Sequence, residues 1–233
     1  MKRVVVQLVV LGAVFALLPG FVLIPIMTSR RIAENEHAVT GSLKTIATQQ
    51  EIFHCCEVDQ DSDGGKSKGE YGFLAELCGE VAPRRGNATA PTRPRYISAA
   101  FHTGASGGRG FAEKDGYYFQ VWLPGPDGPM TDTACGGTAT TPGTRLDPKT
   151  HGNIIDLQEK HFVVYAWPVK HGETGRRTFA ISEAGTCRAT KGVYGGTELM
   201  PKPNAAFQKG QPVFAGELGN GEGNDGSVWE GVP

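Results

Sequence analysis

A long apolar run near the amino terminus is the feature that most constrains the fold. Residues 4–27 form a run of 24 residues that only Gln7 interrupts, and Lys2 and Arg3 precede it. About 20 apolar residues suffice for a helix to cross a bilayer, whereas the core of a secretory signal is typically about 7–15 residues. No Ala-x-Ala cleavage site follows the run. We therefore predict an uncleaved, single-pass transmembrane anchor over residues 1–29, with a long signal peptide as the alternative.

The residues after this run continue the helix as an amphipathic segment. Apolar side chains recur at spacings of three, four or seven residues, which places them on one face of a helix. This stripe consists of Ile32, Val39, Leu43, Ile46 and Phe53. We assign the opposite, polar face to Arg31, Glu34, Glu36, Lys44 and Gln49. The pattern predicts one continuous helix to about Cys56, with its first half in lipid and its stripe packed against the rest of the protein.

The remainder of the chain is predicted to form a small antiparallel sheet with long loops. The chain contains 33 glycines and 15 prolines in 233 residues, a combined share well above the usual value of about 12%. This composition argues against a mostly helical protein. Apolar and aromatic runs predict strands at 117–123, 161–169 and 177–182, and a short fourth strand at 186–189. Gly172 and Gly175 indicate a hairpin turn at 170–176, because glycine adopts positive φ readily. The predicted fold class is α+β.

We divide the chain into three parts on these patterns. Residues 1–29 are the anchor, residues 30–190 are an α+β domain, and residues 191–233 are a Gly/Pro-rich C-terminal extension. The extension shows little periodicity. Phe214 and Trp229 are the residues expected to attach it to the domain.

An acidic motif lies between the long helix and the first predicted strand. Residues 59–70 match D-x-[DN]-x-[DN]-G-x5-E at every defined position. The predicted ligands are Asp59, Asp61, Asp63, the carbonyl of Gly65, Ser67 (directly or through water) and a bidentate Glu70. Ligation by oxygen alone favours Ca²⁺ over zinc or copper. We therefore predict a lone structural Ca²⁺ loop, with a solvated acidic turn as the alternative. Lys66 and the lack of a second such motif argue against a calmodulin-like switch.

Five cysteines bear on the compartment of the protein. They are Cys55, Cys56, Cys78, Cys135 and Cys187, enough for two bridges and one free thiol. One of the adjacent pair at 55–56 can bridge to Cys78, and Cys135 can bridge to Cys187, although spacing alone does not fix this connectivity. Because thiols oxidise outside the cytoplasm, we expect the soluble domain in the bacterial periplasm or at the cell surface.

Charge and motifs argue against two classes of function. The formal net charge of −1 gives no basis for nucleic-acid binding, which usually needs a basic domain. The serines lie in no Gly-x-Ser-x-Gly elbow, and the glycine-rich segment at 104–110 lacks the Gly-Lys-Ser/Thr of a phosphate-binding loop. We therefore predict a protein that is not an enzyme.

The order of these features resembles a known family. Residues 24–53 are similar to the N-terminal helix of type IV pilin-like proteins and type II secretion pseudopilins. Residues 70–77 resemble the segment after that helix, and the strand at 117–119 with the hairpin around 165–179 resembles the pilin sheet. The chain lacks the Gly-Phe-Thr-Leu-Ile-Glu type of motif at which prepilins are cut. The resemblance thus implies a pilin-like fold on a permanent anchor.

These observations lead to two hypotheses of different classes. The first is a membrane-anchored structural or assembly subunit that self-assembles or binds protein partners through its N-terminal helix, with Ca²⁺ in the acidic loop. The second is an anchored ligand-binding module, in which the long Gly-rich loops and the aromatic strand residues Tyr117, Trp122 and Trp167 form a binding surface.

Overall fold

The fold is α+β, with one long helix packed on an antiparallel sheet. The computed structural model describes residues 2–56, 58, 60, 69–84, 88, 90–104, 109–135, 145–214 and 216–232, and it leaves out the side chains of 2–26, 56, 134 and 135. Its helices are α1 (Lys2–Cys56), α2 (Leu74–Leu77), α3 (Asp132–Cys135) and α4 (Pro148–Gln158). A 3₁₀ turn covers Ala99–Phe101. The single long helix predicted to about Cys56 is therefore confirmed.

The strands of the described residues form one sheet. They are β1 (Ala112–Lys114), β2 (Tyr117–Trp122), β3 (Val163–Pro168), β4 (Thr178–Ser182), β5 (Arg188–Thr190), β6 (Gly221–Glu222) and β7 (Val228–Gly231). Their order across the sheet is β1-β2-β3-β4-β5-β7-β6, and every neighbouring pair is antiparallel. Four of them match the predicted strands to within a few residues. The sequence does not predict β1, β6 or β7, because each is too short to show an alternating pattern.

The predicted anchor falls on residues whose side chains are mostly not described. Residues 2–26 are helical, and the described side chains of α1 begin at Met27. Over the described part of the chain, no helix is both long enough and apolar enough to cross a membrane. The anchor at 1–29 stays a prediction.

Both faces of the sheet are covered. Successive residues of β3 alternate between two apolar clusters, so that Val164 and Ala166 lie on the α1 side and Tyr165 and Trp167 on the other. Residues of the C-terminal segment cover this second side, among them Phe207, Phe214 and Trp229. The expectation that Phe214 and Trp229 attach this segment is confirmed, and the segment also supplies two strands of the sheet. Because both faces of β3 are buried, its sequence is a continuous apolar run rather than an alternation of apolar and polar residues.

The turn between β3 and β4 depends on two glycines for different reasons. Gly172 has a φ of +82°, the left-handed conformation expected there. Gly175 does not share this conformation. A Cβ on Gly175 would lie 1.9 Å from the hydroxyl oxygen of Tyr117, so the second glycine is needed for the close approach of a side chain from β2.

The apolar stripe of α1 packs on the sheet as predicted. Its five residues are 0–4% exposed: Ile32, Val39, Leu43, Ile46 and Phe53. The contacts of α1 with the sheet are mainly with β4 and, to a lesser extent, with β3.

One residue of the predicted polar face is instead buried. Glu36 is 8% exposed, since it lies four residues after Ile32 and three before Val39 and so falls on the stripe itself. Its carboxylate accepts hydrogen bonds from the backbone N–H groups of Arg176 and Arg177 at 3.0 and 3.2 Å, and from Nε of Arg177 at 2.7 Å. These contacts join α1 to the start of β4.

We predict that Glu36→Ala lowers the free energy of unfolding by about 2 kcal/mol, because three hydrogen bonds to a charged acceptor are lost at a largely buried site. Urea denaturation of the full chain measures this loss. The fluorescence of Trp167 and Trp229, which are both fully buried, reports the transition.

Glu34→Ala is the matched control. Glu34 pairs with Arg30 at 2.9 Å on the exposed side of the same helix, where an ion pair contributes about 0.5 kcal/mol or less. Equal losses in the two variants would contradict the assigned role of Glu36.

Candidate metal centre

The acidic segment leaves the end of α1 and returns to it. The backbone N–H of Gly69 donates to the carbonyl of His54 at 2.8 Å, and that of Glu70 donates to the carbonyl of Val58 at 3.2 Å. A Cβ on Gly69 would lie 1.5 Å from the carbonyl oxygen of Val58. Only glycine allows the backbone at residue 69 to approach Val58 this closely, so the residues on either side of the acidic segment lie next to each other.

The carboxylate of Glu70 turns back toward the start of this loop. It is fully buried, and its Oε1 accepts a hydrogen bond from the backbone N–H of Gln60 at 3.0 Å. Gln60 lies between the first two predicted ligands, Asp59 and Asp61. The last predicted ligand is therefore held beside the backbone that carries the first ones, as a metal loop of this type requires.

Gln60 connects the loop to the body of the domain. Its side-chain oxygen accepts from the N–H of Leu146 at 2.8 Å, and its backbone carbonyl accepts from the guanidinium of Arg145 at 2.7 Å. Its amide nitrogen donates to the side-chain oxygen of Gln158 at 3.3 Å. Gln60 is only 1% exposed, so these hydrogen bonds are shielded from solvent.

A buried polar network continues from Gln158. We call it the polar core and define it as Gln60, Tyr71, Glu76, Arg84 and Gln158. Arg84 is fully buried and donates to both carboxylate oxygens of Glu76 at 3.1 and 3.2 Å, to Gln158 at 2.9 Å and to the carbonyl of Tyr71 at 2.7 Å.

Each donor and acceptor in this network compensates for the removal of its partner from water. The guanidinium of Arg84 also lies 4.6 Å from the centroid of the Phe73 ring. Arg84 and Glu76 are both fully enclosed. The network can hold the base of the loop and α4 in place, but it offers no surface to a ligand.

The structure describes one of the six predicted ligands. Glu70 is described, whereas Asp59, Asp61, Asp63, Gly65 and Ser67 lie outside the described residues. No group of three or more His, Cys, Asp or Glu side chains suited to a metal ion occurs among the residues that are described. The Ca²⁺ site therefore stays a prediction that rests on the motif and on the geometry of the loop base.

The cysteines do not form the two bridges considered from the sequence. Cys55, Cys78 and Cys187 are free thiols, and the side chains of Cys56 and Cys135 are not among those described. Burial raises the pKa of Cys78 to about 12 and that of Cys187 to about 11. Both thiols are therefore protonated and unreactive near neutral pH.

The aromatic residues assigned to a ligand-binding surface lie mostly in the interior. Tyr117 and Trp167 are fully buried, and only Trp122 is partly exposed. Tyr117 packs in the cluster under α1, and Trp167 packs in the cluster under the C-terminal segment. That interpretation is wrong for these two residues, because β2 and β3 are covered on both faces.

Sequence reasoning missed the residues that support the loop. Gln60 occupies a position of the acidic motif at which any residue is allowed, and Gln158 lies in no recognisable motif. Arg84 lies in a run of Arg, Pro and Thr typical of a solvated loop. No local pattern marks an arginine whose partners lie 8, 13 and 74 residues away.

Comparison of the chain with protein-family models, with curated proteins and with solved structures finds no match. Its function therefore has to be inferred from its residues and their geometry.

We predict that Gly69→Ala destabilises the protein by about 2 kcal/mol or more, because the new Cβ would overlap the carbonyl of Val58 and open the base of the loop. Thermal unfolding of the full chain measures the effect. Gly152→Ala in α4 is the control, since nothing lies within 4 Å of its Cβ and the exchange within a helix should stabilise by about 0.5–1 kcal/mol. A neutral Gly69→Ala would contradict the closed loop base.

A second prediction concerns Asp132 at the start of α3. Burial raises the pKa of Asp132 to about 7, although the N–H of Ala75 donates to its carboxylate at 2.7 Å. Between about pH 4 and pH 7 the unfolded chain releases this proton and the native protein keeps it. Stability should therefore fall as pH rises through this window, by about 1.4 kcal/mol for each unit of the difference between the two pKa values.

Asp132→Asn should remove this component of the pH dependence, as measured by urea denaturation at a series of pH values. Asp127→Asn, in an exposed turn, is the control and should leave the slope unchanged. Parallel curves for the wild type and Asp132→Asn would show that Asp132 titrates normally.

Proposed function

We propose that the chain is a membrane-anchored, pilin-like structural subunit that assembles with copies of itself or with protein partners through α1. The observation that supports this proposal most directly is that α1 is buried on one side only. Its stripe is buried from Ile32 onward and packs on the sheet from Val39 onward, whereas the opposite side of the same helix has no cover among the described residues. A long helix that presents one free face beside a compact domain suits assembly by helix packing.

The free face of α1 has a composition that supports helix packing. Exposed residues recur on it at helical spacing: His37, Gly41, Thr45, Thr48 and Ile52. Ile52 is 47% exposed and gives this face one large apolar side chain. Gly41 and the two threonines are small enough for another helix to approach closely. We define these five residues as the assembly face.

The proposal includes one Ca²⁺ in the loop at 59–70. The match at every defined position of the motif supports it, and so does the buried carboxylate of Glu70 beside the backbone of Gln60. The ion would be bound by Asp59, Asp61, Asp63, Gly65, Ser67 and Glu70. It would fix the exit of the chain from α1, since the loop base is bonded to the last turn of that helix through Gly69 and His54.

The proposed Ca²⁺ site is also relevant to the question of which side of the membrane carries the soluble domain. In extracellular modules, loops of this kind bind Ca²⁺ with dissociation constants of about 10⁻⁴–10⁻³ M. A soluble domain in the periplasm or at the cell surface is compatible with so weak a site, because Ca²⁺ there is abundant enough to fill it. The anchor itself rests on the apolar run at 4–27.

We predict that Ca²⁺ raises the melting temperature of the full chain and that a chelator lowers it. At about 5 mM Ca²⁺, a dissociation constant in this range corresponds to about 1–2 kcal/mol of stabilisation. Asp61→Ala should abolish the difference, whereas Asp127→Ala, which removes an acidic side chain from an exposed turn elsewhere, should preserve it. Identical melting with and without chelator would remove Ca²⁺ from the proposal.

We predict that the full chain is oligomeric in mild detergent and that Ile52→Asp shifts it to monomer, because a charge on the assembly face would have to be buried. Sedimentation velocity measures the distribution of species. Leu157→Asp is the matched control, since Leu157 is also a partly exposed apolar side chain (37%) but lies on α4.

Two results would count against the assembly role. One is a wild-type chain that is monomeric at every concentration in detergent and in its native membrane. The other is an oligomer that Ile52→Asp and Leu157→Asp disrupt equally, which would indicate association through surfaces other than the assembly face.

A further inference from the structure

One end of the domain lies beside the part of α1 that follows the apolar run. The turn between β3 and β4 contacts α1 there, since Nδ2 of Asn35 donates to the carbonyl of Thr174 at 2.8 Å. The turn between β1 and β2 reaches the same place, because a Cβ on Gly116 would lie 3.0 Å from the side chains of both Asn35 and Thr174. This end of the sheet therefore faces the amino-terminal direction of α1.

A hollow of about 540 Å³ opens at this end between α1 and the turn after β3. Its lining includes Ser29, Ile32, His171, Arg176, Arg177 and Lys191. Glu36 neutralises Arg177 at 2.7 Å. Arg176 and Lys191 are exposed, and neither forms an ion pair with any residue that the structure describes. The hollow thus carries two cations that are available to an anionic ligand.

Exposed apolar side chains lie next to these cations. Val193, Leu199 and Met200 are 69%, 56% and 40% exposed, and all three belong to the segment 191–200. This segment is fixed beside the turn, because the N–H of Gly196 donates to the carbonyl of Pro168 at 3.0 Å and the indole of Trp167 donates back to Gly196 at 2.8 Å. We call residues 170–176 and 191–200 the interfacial end.

The charges around the interfacial end leave an excess of cations. Two of its acidic neighbours are paired, Glu34 with Arg30 at 2.9 Å and Glu173 with Lys170 at 3.6 Å. After these pairs and the pair of Glu36 with Arg177, the remaining cations in and beside the interfacial end are Arg31, Arg176, Arg188, Lys191 and Lys202. The remaining acidic side chains are Glu198, Asp225, which accepts from the hydroxyl of Tyr194, and Glu230, which lines a neighbouring hollow with Lys191. The chain as a whole has a net charge of −1, so this cationic excess is local.

We propose that the interfacial end docks on anionic phospholipid headgroups. Cations beside exposed aliphatic side chains match a surface of phosphates over acyl chains, as in proteins that lie at membrane interfaces. The phosphates would be bound by Arg176 and Lys191. Val193, Leu199 and Met200 would enter the boundary between headgroups and acyl chains.

The geometry of α1 places this end at the depth that the proposal requires. Ile32 in the hollow lies five positions after Met27, at the end of the apolar run. At a rise of about 1.5 Å per residue, the two residues are about 7.5 Å apart along the helix axis. The headgroup layer on each side of a bilayer is about 5–8 Å thick. This inference rests on the proposed anchor, and it adds that the domain is held against the membrane by its own surface.

The test uses the full chain in nanodiscs of phosphatidylcholine, with or without phosphatidylglycerol, and measures backbone hydrogen exchange. We expect amides of the interfacial end to exchange about tenfold more slowly when the anionic lipid is present. The double variant R176E/K191E should lose this protection. Exchange in β3 reports on folding and should be the same in every sample.

The double variant K149E/K160E is the matched control. It changes the net charge equally, but both lysines are exposed around α4, whose residue Gln158 lies in the polar core near the other end of α1. It should keep the protection. Equal exchange in both kinds of nanodisc, or equal loss of protection in both double variants, would overturn the docking proposal.

Alkaline carbonate extraction separates this inference from the proposed function. A chain that stays in the membrane but shows no lipid-dependent protection would overturn the docking while leaving the anchor in place. A chain that carbonate releases would contradict the anchor, and the docking inference would fail with it.

Discussion

Burial of one stripe of α1 against β3 and β4 is the interaction on which the rest of the structure depends. The stripe gives the helix its orientation, and the sheet gains a cover for one of its faces. Glu36 lies beside this apolar contact, where Arg176 and Arg177, just before β4, donate three hydrogen bonds to its carboxylate. These directional bonds favour one position of the helix on the sheet, whereas apolar contacts are not directional. The exposed side of α1 is defined by the same constraint.

The sequence predicts this arrangement well where a pattern repeats. The stripe from Ile32 to Phe53 and the runs that become β2, β3 and β4 are periodic or continuous over enough residues to be recognised, and the structure confirms them. Glu36 was wrongly assigned to the polar face, because a charged residue on a stripe is read as exposed until its partner, more than a hundred residues away, is known. The short strands β6 and β7 carry no such pattern and depend on pairing with β5 and on the burial of Trp229.

For the acidic loop, the sequence predicts the candidate ligands but not the residues that support them. Its motif is readable from the sequence at every defined position, whereas the residues that hold its base are not. Gln60 and Gln158 are ordinary amides until the fold places them between the loop, α4 and Arg84. Backbone contacts of Gly69 and Glu70 close the base, so an ion would bind a segment whose two ends are already held together. Such preorganisation lowers the entropic cost of binding and suits a site whose affinity is modest.

The two outer strands of the sheet have a consequence for how copies of this protein can meet. β1 has three residues and ends in Lys114, and β6 has two. Edges this short offer few free backbone groups to a strand from another molecule, and a lysine at an edge disfavours such pairing further. Many sheet proteins polymerise or aggregate by adding a strand at a sheet edge, and the short edges of this sheet disfavour that route. Any association between copies would therefore use side-chain surfaces rather than the edges of the sheet.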